Sequence, residues 1–512
     1  MEVYSFTPLG FEGTLVKIEI EVRRGIPGID IVGLPDSSVR ESRERIRAAL
    51  RFGGFAVPKS RVLINLSPAG VRKAGTAYDL ALAIAILSST NQLSWDFDEP
   101  VLICGELSLT GQIKPVHGTL AALDFAQAQG IKRCIISACE HVPRGSHPDL
   151  YCMTLDKIAD LHTSTLYFSD LGTGGRSALT SGIDQHAIRI ESHWMTNWER
   201  LALGVILSGS HHSLLLGPPG SGKSSFLQAI QTAEIPLLHH HKAELDQIRS
   251  GLGVPLGGQD IPLVSPGHGA SFEGFYGGGS QVKPGLVSLA HGGFLILDEL
   301  LEFPPKILGG LRVSMEESVI QVARSQNQHR FPCEFTLVGA TNLCPCGSKG
   351  SRGICLCDPR DMQRFWNKLG LALADRFDCK ILYPIQEPKN LELPNWCTSE
   401  QGLIEAVARA RAMIENKRQQ NQSNFLPGRL SGIDLIAEED QKVPSKKNLH
   451  TQTSNRPWVS QKRLAITLAS MRGFDTPDNV DRRIAKELHS SEQLAQVLGD
   501  SVSWALQTES VS

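Results

Sequence analysis

The chain has 512 residues, 41% hydrophobic and 20% charged, with a formal net charge of −2. That length exceeds one domain, and the composition fits a globular chain rather than a disordered or fibrous one. The near-neutral balance excludes a chain-wide basic field, so any nucleic-acid contact must come from a local patch or from a pore built by several subunits. No run of about 20 apolar residues offers a membrane span. The Met1-Glu2-Val3-Tyr4 start lacks the basic and apolar regions of a signal peptide, so the expected location is cytoplasmic. In such a reducing compartment most of the eleven cysteines read as small buried apolar residues.

Residues 1–165 alternate strand-like and helix-like segments. Gly13 to Val22 and Ile29 to Gly33 read as strands. Ser37 or Ser38 is expected to cap a helix running to Arg51, with Val39, Ile46 and Leu50 on one face. Its Arg40, Arg43, Arg45 and Arg47 alternate with Glu41 and Glu44, the pattern of a solvated, ion-paired face or of a partner surface. Arg61 to Leu66 is a further strand, and an apolar helix is expected over Leu80 to Leu87. Ile103 to Ser108 and Arg133 to Ile136 read as strands flanking a helix near Leu120 to Gln129. Residues 166–190, with Gly172-Thr173-Gly174-Gly175-Arg176-Ser177, have the composition of a linker.

Residues 191–390 carry the strongest motif. Gly217-Pro218-Pro219-Gly220-Ser221-Gly222-Lys223-Ser224 fits G-x-x-x-x-G-K-[ST], between an apolar strand, Ser213 to Leu216, and a helix opening at Ser225. Glycines let the backbone wrap a phosphate with successive N–H groups pointing at it, and the helix N-terminus adds about half a positive charge. Lys223 is expected to reach the β- and γ-phosphates of ATP, and Ser224 to ligate Mg²⁺. Residues 234–293 are rich in Gly and Pro and are read as turns without a regular element; Gly277-Gly278-Gly279-Ser280 is the densest part. Gly293 to Glu299 reads as a buried strand ending in two carboxylates. Asp298 is placed to hold the Mg²⁺ water shell and Glu299 to polarise the attacking water.

Val319 to Arg324 is one arm of an expected hairpin with a polar tip over Ser325 to Arg330. The strand Phe335 to Ala340 returns to Thr341-Asn342, where Asn342 can orient the water. Cys344, Cys346, Cys355 and Cys357 form two C-x-C pairs that could wrap one Zn²⁺; a redox cluster and unligated loop cysteines are the alternatives. Arg376, in Asp375-Arg376-Phe377-Asp378, can reach a neighbouring subunit's nucleotide or can pair with Asp375 or Asp378. Residues 391–512 are read as a helical lid. Leu403, Val407 and Ile414 lie on one face of its first helix with Arg409 and Arg411 opposite. Lys462 and Arg463, on its last helix, either touch the nucleotide or face solvent.

Two resemblances follow from these residues. Pro68, Lys73-Ala74-Gly75, Gly105-Glu106-Leu107, Gly111 and Pro115-Val116-His117-Gly118 resemble the peptidase-like domain of Lon proteases. Where that family has its nucleophilic serine and partner lysine, this chain has Ala77 and Leu120, so no activated nucleophile is expected. Taken as an ordered set, Val3-Tyr4-Ser5, Gly28-Ile29, Val32 to Asp36, Val39 to Arg45, the phosphate loop, Gly277 to Gly293, Leu297 to Leu300, Asn342 to Gly347 and Asp375-Arg376 resemble the magnesium-chelatase-like AAA+ family typified by ComM and YifB. The resemblance implies an α/β chain. Its parts are a Lon-like α+β domain of the ribosomal S5 domain 2 type, a P-loop AAA+ core and a helical lid. It also implies homo-hexameric rings and, as for ComM, ATP-driven branch migration of DNA in natural transformation. A chelatase-type motor remodelling a protein partner without DNA is the alternative. The chain departs from the family pattern at Leu343, at Ser192-His193-Trp194, and at Ser460-Gln461-Lys462-Arg463, where lysine lacks the bidentate fork of arginine.

Overall fold

The computed structural model describes residues 2–9, 12–93, 99–140, 142, 147, 149–162, 168–170, 188–256, 258, 260–279, 282–324, 327–350, 354–384, 391–419, 426–430, 435 and 456–489. The architecture is mixed α/β, with one large sheet per half of the chain and three two-stranded ones beside them among the described residues. Among the described residues no helix is long and apolar enough to cross a membrane.

The first sheet has eight strands. Their spatial order is Ser169–Asp170, Tyr151–Leu155, Arg133–Ser137, Val101–Ile103, Val3–Leu9, Glu12–Arg23, Arg61–Ser67 and Gly28–Val32. Val3–Leu9 and Arg61–Ser67 flank Glu12–Arg23 antiparallel, the strands from Val3–Leu9 through Val101–Ile103 and Arg133–Ser137 to Tyr151–Leu155 pair in parallel, and Ser169–Asp170 closes that edge antiparallel. The helix Ser37–Phe52 is capped by Asp36, whose Oδ1 accepts from Val39 N at 2.9 Å. This satisfies one orphan donor of the first turn and corrects the expected serine cap. The helix buries Val39, Ser42, Ile46, Ala49 and Leu50 against the helix Asp79–Ser89, which is buried at every position from Asp79 to Leu87. Ile103 to Ser108 is not one strand: Val101–Ile103 ends before Cys104-Gly105, and Glu106–Leu107 pairs with Ile113–Lys114 instead.

The linker reading narrows at both ends. Ser169–Asp170 joins the first sheet, and Ile188 and Ile190 are buried in the second core; residues 171–187 of that stretch lie outside the described residues.

The second sheet is all parallel, in the order Leu263–Val264, Phe294–Leu297, Thr336–Thr341, Ser213–Leu216, Cys379–Leu382. Ser213–Leu216, Phe294–Leu297 and Thr336–Thr341 are buried at every position. Helices therefore cover both faces, which is why these strands read as continuous apolar runs. In chain order the first strand lies between the fourth and the fifth. Ligands of such sheets sit in the crevice beyond the carboxyl ends at that reversal. Leu216 pairs with Thr341 and Leu297 with Gly339, so the residues after all three strands emerge along one edge.

The insertion read as turns alone contains a regular element. A 14-residue helix, His239–Leu252, opens after Leu238 and stops at Gly253, whose φ is +69°. The flanking Gly and Pro residues hid its period. The same helix meets the first half of the chain: Gly118 N donates to Ser250 O at 3.2 Å, and Gln247 Nε2 donates to Asp124 Oδ2. The hairpin is Val319–Arg324 with Asn327–Pro332, so its tip shrinks to 325–326, which lie outside the described residues. The helices Glu400–Gln419 and Arg456–Arg472 pack on the helix Asn197–Gly209 through Leu403, Val407, Leu464 and Leu468, and Asn479–His489 packs on Arg456–Arg472 and on the strand Cys379–Leu382. Arg411, read as facing away from this core, is buried instead; its guanidinium donates to Leu207 O at 3.3 Å and Pro236 O at 2.7 Å. Residues 420–425, 431–434, 436–455 and 490–512 lie outside the described residues.

Candidate active site at the carboxyl edge of the parallel sheet

Gly217 to Ser224 turns tightly from strand to helix. Gly220 and Gly222 hold φ of +72° and +108°, a region that side chains with a Cβ rarely occupy. At Gly217 a Cβ would come within 2.7 Å of Tyr383, so the buried Tyr383 floors the loop. Lys223 opens the helix Lys223–Gln231, and its Nζ donates to Gly217 O at 2.6 Å, Pro218 O at 2.8 Å and Asn342 Oδ1 at 3.3 Å. Burial pushes this ammonium down, against the opposing pull of the Asp298 and Glu299 charges. The Ser221 hydroxyl is buried without a hydrogen-bond partner. An anion cradle with an orphaned hydroxyl and a lysine resting on loop carbonyls fits a phosphate chain.

Ser224 Oγ lies 3.5 Å from Asp298 Oδ2, which brings together a hydroxyl and a carboxylate oxygen of the kind a hard divalent cation takes. Asp298 Oδ1 accepts from Glu299 N at 2.9 Å. Glu299 has φ +48° and ψ +46°, left-handed backbone on a residue other than Gly. Such conformations store strain and cluster at functional sites. His268 Nε2 lies 3.1 Å from Asp298 O and 3.9 Å from Glu299 Oε2. It was not singled out in the sequence, because one His among the glycines of 265–269 has no periodic or motif signal.

The cysteines converge. The four sulfurs of Cys344, Cys346, Cys355 and Cys357 lie within 4.8 Å of one another, with Cys344–Cys346 at 3.4 Å and Cys346–Cys355 at 3.7 Å. A tetrahedral ion with Zn–S bonds of about 2.3 Å sets its sulfurs ~3.8 Å apart, so the thiols fit. Backbone hydrogen bonding from Ser348 leads the causes that hold the Cys346 thiol down at about 6. The loop also leans on the phosphate loop: a Cβ at Gly347 would come within 3.0 Å of Pro219.

Arg376, Lys462 and Arg463 stand elsewhere in this single chain. Arg376 is buried and pairs with Glu316, neither Asp375 nor Asp378, while its Nη1 donates to Ala372 O. Burial and the nearby Arg456 and Arg312 charges push its guanidinium down to about 10. Arg456 shares Glu316 at 3.0 Å. Arg463 donates to Leu430 O at 2.8 Å and to the buried Asp378 at 3.4 Å. Arg376, Arg456 and Arg463 line one cavity of about 660 Å³ with Arg418 and Arg429. Lys462 lies over the Trp458 ring, 5.5 Å from its centroid. Among the described residues no hydrogen bond or ion pair joins Arg376 or Arg463 to the phosphate loop, because Glu316 and Asp378 already hold them.

The model of magnesium chelatase subunit ChlI matches residues 196–391, and a second model, the ChlI subunit of Mg-chelatase, matches 18–140. Competence protein ComM of Haemophilus influenzae is 30% identical over 524 residues, which cover 96% of this chain and 95% of that one. The chain belongs to the ComM/YifB family of magnesium-chelatase-like AAA+ ATPases. YifB of Escherichia coli is 29% identical, covering 97% of both chains. Lon protease 2 of Bacillus subtilis is 28% identical over 140 residues, 24% of this chain. The Lon-like character of the first domain stands on that similarity together with the mixed sheet.

Proposed function

We propose that this chain is an ATP-hydrolysing ring motor that acts on DNA, with branch migration or strand separation as its output. The family supports ATP and Mg²⁺ as cofactors, and ComM, a competence protein by name, is the relative that points to incoming DNA and natural transformation. Gly217 to Ser225 cradle the phosphates, with Lys223 on the β- and γ-groups and Ser224 and Asp298 on the Mg²⁺ shell. Glu299 polarises the attacking water and Asn342 orients it. Arg376 supplies transition-state charge to the nucleotide of the next subunit in a homo-hexamer. Arg463, and Lys462 beside it, steady that nucleotide from the lid. Cys344, Cys346, Cys355 and Cys357 hold one structural Zn²⁺ against the phosphate loop.

The observation that carries the reading is the helix Pro305–Glu317. It starts six residues after Glu299 and ends at the hairpin Val319–Pro332. Tyr276 OH donates to its Ile307 O at 2.5 Å, and Tyr276 adjoins the small hairpin in which Gly277–Gly278 pairs with Lys283–Pro284. Both hairpins thus hang on one lever running from Glu299. Lys283, Arg324 and Arg330 are the cations that would meet the phosphate backbone, repeated around a ring. The test is the ATPase rate with and without single-stranded and forked DNA over a range of salt, against Glu299→Gln. Stimulation that fades with salt supports the motor on DNA; a rate indifferent to DNA at low salt removes it and leaves remodelling of a protein partner.

A further inference from the structure

We propose that His240, His241 and Glu334 form a second metal site, distinct from the cysteine cluster, which takes Zn²⁺ or a similar imidazole-seeking divalent ion. Nε2 of His240 lies 3.0 Å from Nε2 of His241, and Nε2 of His241 lies 3.3 Å from Oε2 of Glu334. All three atoms lie within 4.8 Å of one another. A tetrahedral ion with bonds of about 2.0–2.1 Å sets its ligand atoms ~3.3 Å apart. The three atoms therefore already stand near the corners such an ion requires.

Hydrogen-bond bookkeeping favours the ion over a plain network. Three lone-pair-bearing atoms meet at one point. A neutral imidazole carries one N–H, so if His241 Nε2 donates to Glu334, His240 Nε2 can only present a lone pair to the same proton. The other nitrogen of His241, Nδ1, is buried without a partner.

The scaffold around Glu334 is fixed. Its N–H donates to His291 Nδ1 at 3.1 Å and its C=O accepts from Gly292 N at 2.7 Å. His291 in turn meets Glu244 at 2.8 Å, on the same helix as the two histidines. The helix His239–Leu252 carries no acidic residue in its first turn, contrary to the usual preference at a helix N-terminus. The negative charge comes across space, from Glu334. An ion here would clamp the helix that contacts the first domain to the segment joining the hairpin to the strand Thr336–Thr341, which leads into Asn342. Imidazole nitrogens with one carboxylate select Zn²⁺, Cu²⁺ or Ni²⁺ over Mg²⁺ or Ca²⁺.

The test uses the full-length protein, stripped with chelator and dialysed against zinc, with bound metal counted by elemental analysis. The wild type is expected to hold one more zinc per chain than His240→Ala and than Glu334→Gln. A Cys346→Ser/Cys355→Ser protein is expected to keep one zinc, lost when His240→Ala is added. Cobalt in that protein should give visible bands without sulfur charge transfer. Equal zinc content in wild type, His240→Ala and Glu334→Gln overturns the proposal. If the double cysteine variant does not fold, the comparison of wild type with His240→Ala decides alone. The count does not depend on ATP turnover or DNA, so its failure is separate from failure of the motor reading.

Discussion

The two sheets carry the same kind of turn and treat its polar groups in opposite ways. In the first domain the segment Lys73 to Asp79 leads from a strand into an apolar helix, as the phosphate loop does in the second. There the side chains of Lys73, Thr76 and Asp79 are satisfied by the chain itself, although the buried Tyr78 hydroxyl is left without a partner. Lys73 is fully buried and donates to Pro68 O. Thr76 Oγ1 donates to Glu106 at 2.5 Å. Asp79, also fully buried, takes Arg45 Nε at 2.6 Å and the Ser42 hydroxyl. Ala77 and Leu120 stand where the Lon pattern has a nucleophile and its lysine. In the phosphate loop, by contrast, Ser221 lacks a partner, Lys223 rests on loop carbonyls and Glu299 is held in a strained backbone. Local strain and a lysine held on loop carbonyls therefore mark the second turn, where the first is closed by a buried ion pair and hydrogen bonds.

The sharpest way to break that contrast is to remove each lysine. Lys223→Ala is expected to abolish ATP binding and turnover, while Lys73→Met lowers the melting temperature and leaves kcat within about twofold, in the range of an effect on stability alone. Glu299→Gln should retain nucleotide and lower kcat by about 10²–10⁴. Loss of turnover in a folded Lys73→Met protein would show that the first domain still takes part in the chemistry.

Arg376→Ala should lower turnover by about 10³ or more. Mixing it with Lys223→Ala protein should restore part of the rate, because each variant supplies what its neighbour lacks. No recovery on mixing would assign Arg376 to the Glu316 pair alone.

Asp378 is the second domain's counterpart of Asp79. It is buried between His211 Nδ1 at 3.1 Å, Ser460 Oγ at 2.6 Å and Arg463, and so latches the lid to the core. Asp378→Asn leaves Arg463 without its counter-charge and should cost about 3–5 kcal/mol in urea unfolding. Burial alone would raise the Asp378 carboxyl, but the Arg463 charge and the His211 and Ser460 hydrogen bonds hold it well below the usual range. Its contribution is therefore present above the ordinary aspartate value and lost as pH falls below it. Asp79→Asn should destabilise without changing ATP turnover.

The smallest expected effect lies at His489, whose Nδ1 donates to Asp378 O at 2.9 Å. Burial pushes this imidazole from 6.5 down to about 4. The unfolded chain then binds the proton more readily, so stability should fall as pH drops from about 6.5 to about 4. His489→Gln should flatten that window in melts taken across it.

The phosphate loop, the Asp298-Glu299 strand end and Asn342 were legible because each is a contiguous segment whose chemistry is written in neighbouring residues. The hairpin was legible through its strand alternation, although its polar tip proved two residues long once Asn327 to Arg330 paired with Gln321 to Arg324. The helix His239–Leu252 was not legible, since Gly and Pro on both sides outweighed a short apolar period. Arg411 misled for another reason: helical spacing put it opposite Leu403, but a second layer of the core, at Leu207 and Pro236, covers that side too.

The sequence by itself determined the family, the two α/β halves and the phosphate-binding loop, since backbone turns and strand runs are set by residues close in the chain. Only the tertiary structure decided which charges meet. Glu316 holding Arg376, Asp378 holding Arg463, and Glu334 facing His240 and His241 join residues 60 to 94 apart in the chain. The physical reason is burial: a charge removed from water must find its partner wherever the fold brings one, and no local pattern records where that is.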